Sequence, residues 1–170
     1  MLAPTPGHLW RVPRAMSVRL VVPGIESLAT YVGREFGPSS WLTIDQARID
    51  AFAQATGDDQ WIHLDAERAQ RESPFGQTVA HGYLTLALAP VLLAEVFEVK
   101  GCARVINAGL DKLKLRLPVP AGGRIRLAGQ VLSARRAPGG AARVCFDLTW
   151  QLEGAERPAC RGEAIYVYSA

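Results

Sequence analysis

Asp58 and His63 are the two residues of this chain whose types and spacing suit proton transfer. An imidazole changes charge near neutral pH, and a carboxylate beside it can orient the ring or hold a water molecule. They lie in Thr56-Gly57-Asp58-Asp59-Gln60-Trp61-Ile62-His63, close enough along a loop for both to reach one water. Taken alone, the pair has a second explanation: Asp58 caps the following turn and His63 is an ordinary half-buried histidine. Spacing does not decide between the two.

The element that must deliver them is the preceding helix. Thr43 followed by Gln46 has the capping-box arrangement that starts a helix. Ile44, Ala47, Ala51 and Ala55 recur at helical spacing, with Ile49 and Phe52 flanking them, so this stripe is expected to pack inward while Asp45, Arg48 and Asp50 face away. Gly57 can take the left-handed conformation that ends a helix. Asp58 and His63 then follow in an irregular loop, where backbone geometry can aim side chains.

Residues 52–65 read Phe-Ala-Gln-Ala-Thr-Gly-Asp-Asp-Gln-Trp-Ile-His-Leu-Asp, followed by Pro74-Phe75-Gly76 and Ala80-His81-Gly82. This pattern resembles the MaoC-like dehydratases, also called (R)-specific enoyl-CoA hydratases or hydratase 2, and in particular their nodulation-protein-N-like branch. The resemblance implies that Asp58 and His63 are catalytic. One departure is visible: Gln60-Trp61 stand where many members carry Asn-Pro, which bears on the loop and on the acyl pocket near Trp61 more than on the reaction.

The remaining chain supplies the mounting. Residues 1–19 hold Pro4, Pro6, Gly7 and Pro13 without steady periodicity and read as an irregular arm, not a signal peptide, and His8 and Trp10 within it carry no site. Residues 25–32 suggest a short helix and residues 65–71 one or two helical turns, with a turn-rich loop at 72–77. Residues 78–97 are apolar nearly all round, as in a buried helix, and Pro90 should bend it. His81, Gly82, Pro90 and Glu95 argue against reading it as a membrane span. Alternating or β-prone runs at 110–117, 124–132, 142–152 and 164–168 are separated by Gly122-Gly123, Pro138-Gly139-Gly140 and Glu153-Gly154, the pattern of antiparallel strands. The class is α+β. The resembled family has the hotdog fold, a curved antiparallel sheet wrapped around a long central helix, and the order of elements agrees with it.

At 170 residues the chain can bury a substantial core, and residues 20–170 are expected to form a single hotdog domain. Cys102, Cys145 and Cys160 show no metal-ligand spacing and are odd in number, so reduced thiols in a cytoplasmic protein are expected. His8, His63 and His81 are not clustered as in a zinc site, and no metal or cofactor is implied. The net charge of +3 includes Lys112, Lys114, Arg116, Arg124, Arg126, Arg135 and Arg136 in the sheet region. Without a reader motif or interleaved aromatics these do not indicate nucleic-acid binding; they read as a solvated face or a contact for the phosphates of coenzyme A.

The resemblance implies fatty acid metabolism and an acyl-CoA substrate: water added reversibly across trans-2-enoyl-CoA to give an (R)-3-hydroxyacyl-CoA. The backbone amide of Gly82, at the start of the buried helix, is the expected oxyanion contact, and His81 is expected to bond loop backbone. Other substrate-binding residues are not legible. An acyl-CoA thioesterase of the same fold and a non-catalytic acyl-thioester-binding module remain as alternatives. A homodimer is implied by the family alone, and whether the acyl group rides on coenzyme A or a carrier protein stays open.

Overall fold

The computed structural model describes residues 17–170, so His8, Trp10 and most of the expected arm lie outside the described residues. Val18 and Arg19, at the arm's expected end, already belong to the fold: Val18 pairs with Gly37 and Arg19 bonds Glu98. Four short strands, β1 (Leu20–Val22), β2 (Glu35–Phe36), β3 (Leu42–Ile44) and β4 (Phe97–Val99), are joined by four long ones, β5 (Arg104–Leu115), β6 (Gly123–Arg136), β7 (Ala142–Leu152) and β8 (Cys160–Ser169). The main sheet has the order β2-β6-β7-β8-β5, with β3 also on β6, and every pairing in it is antiparallel. β1 and β4 form a separate parallel pair.

Alternation in sequence becomes two faces. In β8, Cys160, Gly162, Ala164, Tyr166 and Tyr168 turn inward and their neighbours outward. Register then sets large side chains against small ones: Trp150 lies between Leu127 and Cys160, and Phe146 between Val131 and Ala164. Phe36, Phe97 and Phe146 fill the concave side with ring centroids 4.9–5.6 Å apart. The strands run further than patterning alone suggests, because pairing supplies backbone partners even to polar ends. Ala134-Arg135-Arg136 continue β6 against Ala142-Arg143-Val144.

The buried segment at 78–97 is not one helix. Residues 78–81 are non-helical, α4 (Gly82–Ala87) and α5 (Ala89–Val96) follow, and they meet at Leu88. Pro90 explains the break, since it has no N–H to donate and is tolerated only in a helix's first turn, where α5 places it. Nor is it buried all round: Leu92, Leu93 and Val96 face the sheet, whereas Tyr83 and Val91 are 73% and 51% exposed. Together the two helices are the central helix that the hotdog sheet wraps. The segment at 25–32 is a 3-10 helix, Ile25–Tyr31.

All three cysteines are free thiols. Burial pushes the Cys160 thiol up to about 12. At pH 8 such a group is thiolate in only about one molecule in ten thousand. Iodoacetamide at pH 8 should therefore leave Cys160 unlabelled in the folded protein and label it readily in concentrated guanidinium chloride; peptide mass spectrometry showing equal rates in both would contradict this packing.

Candidate active site

The site is built where helix α1 (Gln46–Thr56) ends. Its start differs from the capping box expected at Thr43: Thr43 belongs to β3 and pairs with Arg124, and Asp45 caps the helix by accepting from the Arg48 N–H at 2.9 Å. The inward face also differs, with Ile49 and Ala53 buried, Phe52 half-buried, and Ala47, Ala51 and Ala55 exposed. Alanines contribute little apolar area, so the larger Ile49 and Phe52 decide which face turns in. Gly57 ends the helix as expected, at φ 77° and ψ 8°.

After Gly57 the chain is non-helical to Gln60, then makes a single helical turn, α2 (Trp61–Leu64), before α3 (Ala66–Glu72). His63 thus sits on a short helical turn and not in an irregular loop. Asp65 caps α3 by accepting from the Arg68 N–H at 2.9 Å, which fixes the end of that turn. Trp61 packs under the Arg68 guanidinium, 4.3 Å from its ring centroid. The neighbouring Ile62, rather than Trp61, lines the adjacent cleft.

His63 is 7% exposed, and its Nδ1 lies 2.6 Å from the Val79 carbonyl oxygen. A carbonyl only accepts, so Nδ1 carries a proton, and in the neutral ring the lone pair is then on Nε2. His81, 2% exposed, donates from Nε2 to the backbone carbonyl of Asp58 at 2.9 Å, the loop-backbone bond expected of it. The two rings stack with centroids 3.8 Å apart, and Phe52 covers His81 at 5.0 Å. One carboxylate oxygen of Asp58 and one ring nitrogen from each histidine lie within 4.8 Å of one another.

His63 and His81 are therefore clustered, contrary to the expectation from their separation in sequence. The geometry nevertheless suits water better than a metal ion. Imidazole lone pairs lie in the ring plane, and rings only 28° from parallel direct them side by side instead of converging on an ion about 2.0–2.1 Å away.

Gln46 braces the turn that carries His63, a role that sequence reading missed. Its Nε2 donates to the His63 carbonyl at 2.8 Å and to Asp50 Oδ1 at 2.7 Å, while its Oε1 accepts from the Thr78 hydroxyl at 2.7 Å. It ties the start of α1 to the turn carrying His63 and to the residue before Val79. A glutamine in a helix's first turn gave no sign of this beyond its apparent capping role. Gly82 is the first residue of α4, so its N–H has no acceptor within the helix. It lines an apolar cleft of about 310 Å³ with Ile62, Val79, Ala80 and Leu115. A Cβ at this position would lie 2.5 Å from a Leu115 methyl group.

A family model described as the MaoC like domain matches residues 27–140. The chain belongs to the MaoC-like dehydratase family. It is similar to 3-hydroxyacyl-thioester dehydratase Z of Mycobacterium tuberculosis, 42% identical over 146 residues, 86% of this chain and 96% of that protein. It is 41% identical to Nodulation protein N of Rhizobium leguminosarum over 138 residues, covering 80% and 85% of the two chains. Among solved structures, an R-hydratase from Pseudomonas aeruginosa in its unliganded form superposes with a TM-score of 0.60 at 27% identity, covering 79% of each chain. Membership in this MaoC-like family makes the protein a hydro-lyase, and its fold is that of these hotdog neighbours.

Removing the Gln46 amide should loosen the turn that holds His63. Gln46→Ala leaves Thr78 and the His63 carbonyl each short of a partner, and is expected to lower unfolding stability by about 1–3 kcal/mol. A urea midpoint indistinguishable from the parent's would show that these bonds do not hold the turn.

Proposed function

We propose that the protein is an (R)-specific enoyl-CoA hydratase/dehydratase that reversibly hydrates trans-2-enoyl-CoA to (R)-3-hydroxyacyl-CoA, with Asp58 and His63 as its catalytic pair. The observation that carries this reading is the meeting of the Asp58 carboxylate with a His63 ring whose tautomer is set by the Val79 carbonyl. The names of the relatives, a 3-hydroxyacyl-thioester dehydratase and R-hydratases, support the substrate class and the stereochemistry.

In this mechanism Asp58 and His63 clasp one water molecule. Its oxygen bonds C3 as one of the pair removes a proton, the π electrons move toward the thioester oxygen, and C2 receives a proton, so OH and H are added across the double bond. The reverse sequence expels water. Acid–base catalysis contributes on the order of 10² to 10⁴ in rate, and stabilising the thioester oxyanion must supply much of the rest. The Gly82 N–H, at the positive end of α4 and in the cleft that Ile62 and Val79 also line, is the proposed donor.

A cytoplasmic homodimer built from a single hotdog domain, expected over residues 20–170 and joined also by Val18 and Arg19, completes the reading. Three free thiols favour a reducing compartment. β5 pairs only with β8 among the described residues, leaving one edge open. Leu110 and Leu115 on that strand, with Tyr83 and Val91 on the central helices, present apolar side chains to solvent in the isolated chain. Open strand edges and large apolar surfaces are what association covers.

Two measurements test these proposals. Asp58→Asn and His63→Gln should each slow the loss of enoyl-thioester absorbance by about 100-fold or more while the circular dichroism stays that of the parent; folded variants with full activity would remove both residues from the mechanism, and release of free thiol would point to thioester cleavage instead. Sedimentation should report a dimer for the parent and a monomer for Val91→Asp combined with Leu110→Glu, and a monomeric parent would refute the assembly.

A further inference from the structure

A second cavity, of about 340 Å³, opens on the outer face of the sheet beyond the rim that bounds the apolar cleft. Trp41, Arg116, Arg126, Arg157 and Arg161 line it, with Glu156 as its one carboxylate. Among the described residues, Arg161 alone of the four arginines has an acidic partner, donating a two-point bond to Asp147. Arg126 donates from Nε to Gln151 at 2.7 Å and stacks on Trp41, 4.4 Å from the ring centroid, so its plane is held while its terminal nitrogens take no partner among the described residues. Arg116 belongs to both cavities: it lines this groove and also the cleft that contains Gly82.

Arg116, Arg126 and Arg157, which have no acidic partner among the described residues, repel one another around this hollow unless an anion joins them, and a forked guanidinium held by stacking is pre-shaped for phosphate oxygens. We propose that this groove binds the phosphate groups of a nucleotide, the adenosine 3′,5′-phosphate end of a coenzyme A thioester whose acyl end lies in the cleft beside Gly82. The single phosphodiester of a carrier protein's pantetheine arm brings about one negative charge, too few for this many unpaired arginines; a coenzyme A molecule brings several. The indole of Trp41 adds an aromatic wall of the kind that accepts a base. The choice of coenzyme A as the molecule rests on the thioester reading above, whereas the groove rests on its own arginines.

Calorimetric titration of the full chain with free coenzyme A, pantetheine and inorganic phosphate tests this. Coenzyme A should bind with an affinity that falls as salt rises, and pantetheine, which has no phosphate, at least about tenfold more weakly. Arg126→Gln and Arg157→Gln should each weaken coenzyme A binding about tenfold, and Glu156→Gln should tighten it severalfold, a gain that misfolding cannot mimic. Pantetheine binding as well as coenzyme A, no coenzyme A binding at all, or arginine variants that match the parent would overturn the proposal. The ratio of kcat/KM for a 2-enoyl-CoA over the same enoyl N-acetylcysteamine thioester separates this idea from the hydratase reading. Hydration of both substrates with an unchanged ratio in the arginine variants removes the groove and keeps the reaction; arginine-dependent coenzyme A binding without hydration keeps the groove and removes the reaction.

Discussion

The hydrogen bond from His63 Nδ1 to the Val79 carbonyl is the constraint on which the site depends. It fixes the ring's tautomer and orientation together, and it joins the turn after α1 to the strand-like residues that lead into the central helix. Those residues are held from the other side: Ala80 donates from its backbone to Val119 at 2.8 Å, and Val79 bridges to Pro120. A buried carbonyl needs a donor and a buried imidazole needs a partner, so separating the two would leave both unsatisfied. His81 repeats the device in the opposite direction, reaching from the central helix's start to the Asp58 carbonyl. Two histidines thus cross-link two segments through main chain, and their side-by-side rings follow from that.

The sheet contributes rigidity rather than reactive groups. Its inward rows pair bulky residues with small ones, so that α5 and the phenylalanine cluster fit the concave side. Glycines mark close approaches: a Cβ on Gly129 would lie 2.6 Å from the Asp147 carbonyl oxygen and 2.9 Å from the Phe36 ring. The segment at 78–82 is tied to the connection between β5 and β6 by backbone bonds from Ala80 to Val119 and from Ala121 to Thr78, and the proposed acid–base pair is mounted on it.

Much of this was legible before any coordinates. The antiparallel α+β order, the helix stop at Gly57, and the nearness of Asp58 to His63 follow from turn residues, alternation and the family motif. What was illegible depends on contacts distant in sequence. Gln46 looked like half of a capping box because local spacing cannot reveal that its amide bonds the His63 carbonyl and Thr78. The long helix was overdrawn since apolar composition hides the break at Leu88, although Pro90 foretold a bend. The inward stripe of α1 was misplaced because alanine counts as apolar in a periodicity yet brings too little surface to choose a face. His63 and His81, 18 positions apart, become neighbours only when Val79 and Asp58 bring their backbones to them.

Glycine at position 82 has two independent reasons to be there. One is the proposed chemistry, an amide open to a thioester oxygen; the other is steric and softer, because a side chain there would have to displace a methyl of Leu115. Leu115 closes β5, the strand at the sheet's margin, and is more than half exposed. An acyl chain approaching that amide must therefore trade places with a side chain that is largely uncovered among the described residues, so the width of the entrance is a property of the sheet's border and of whatever lies against it.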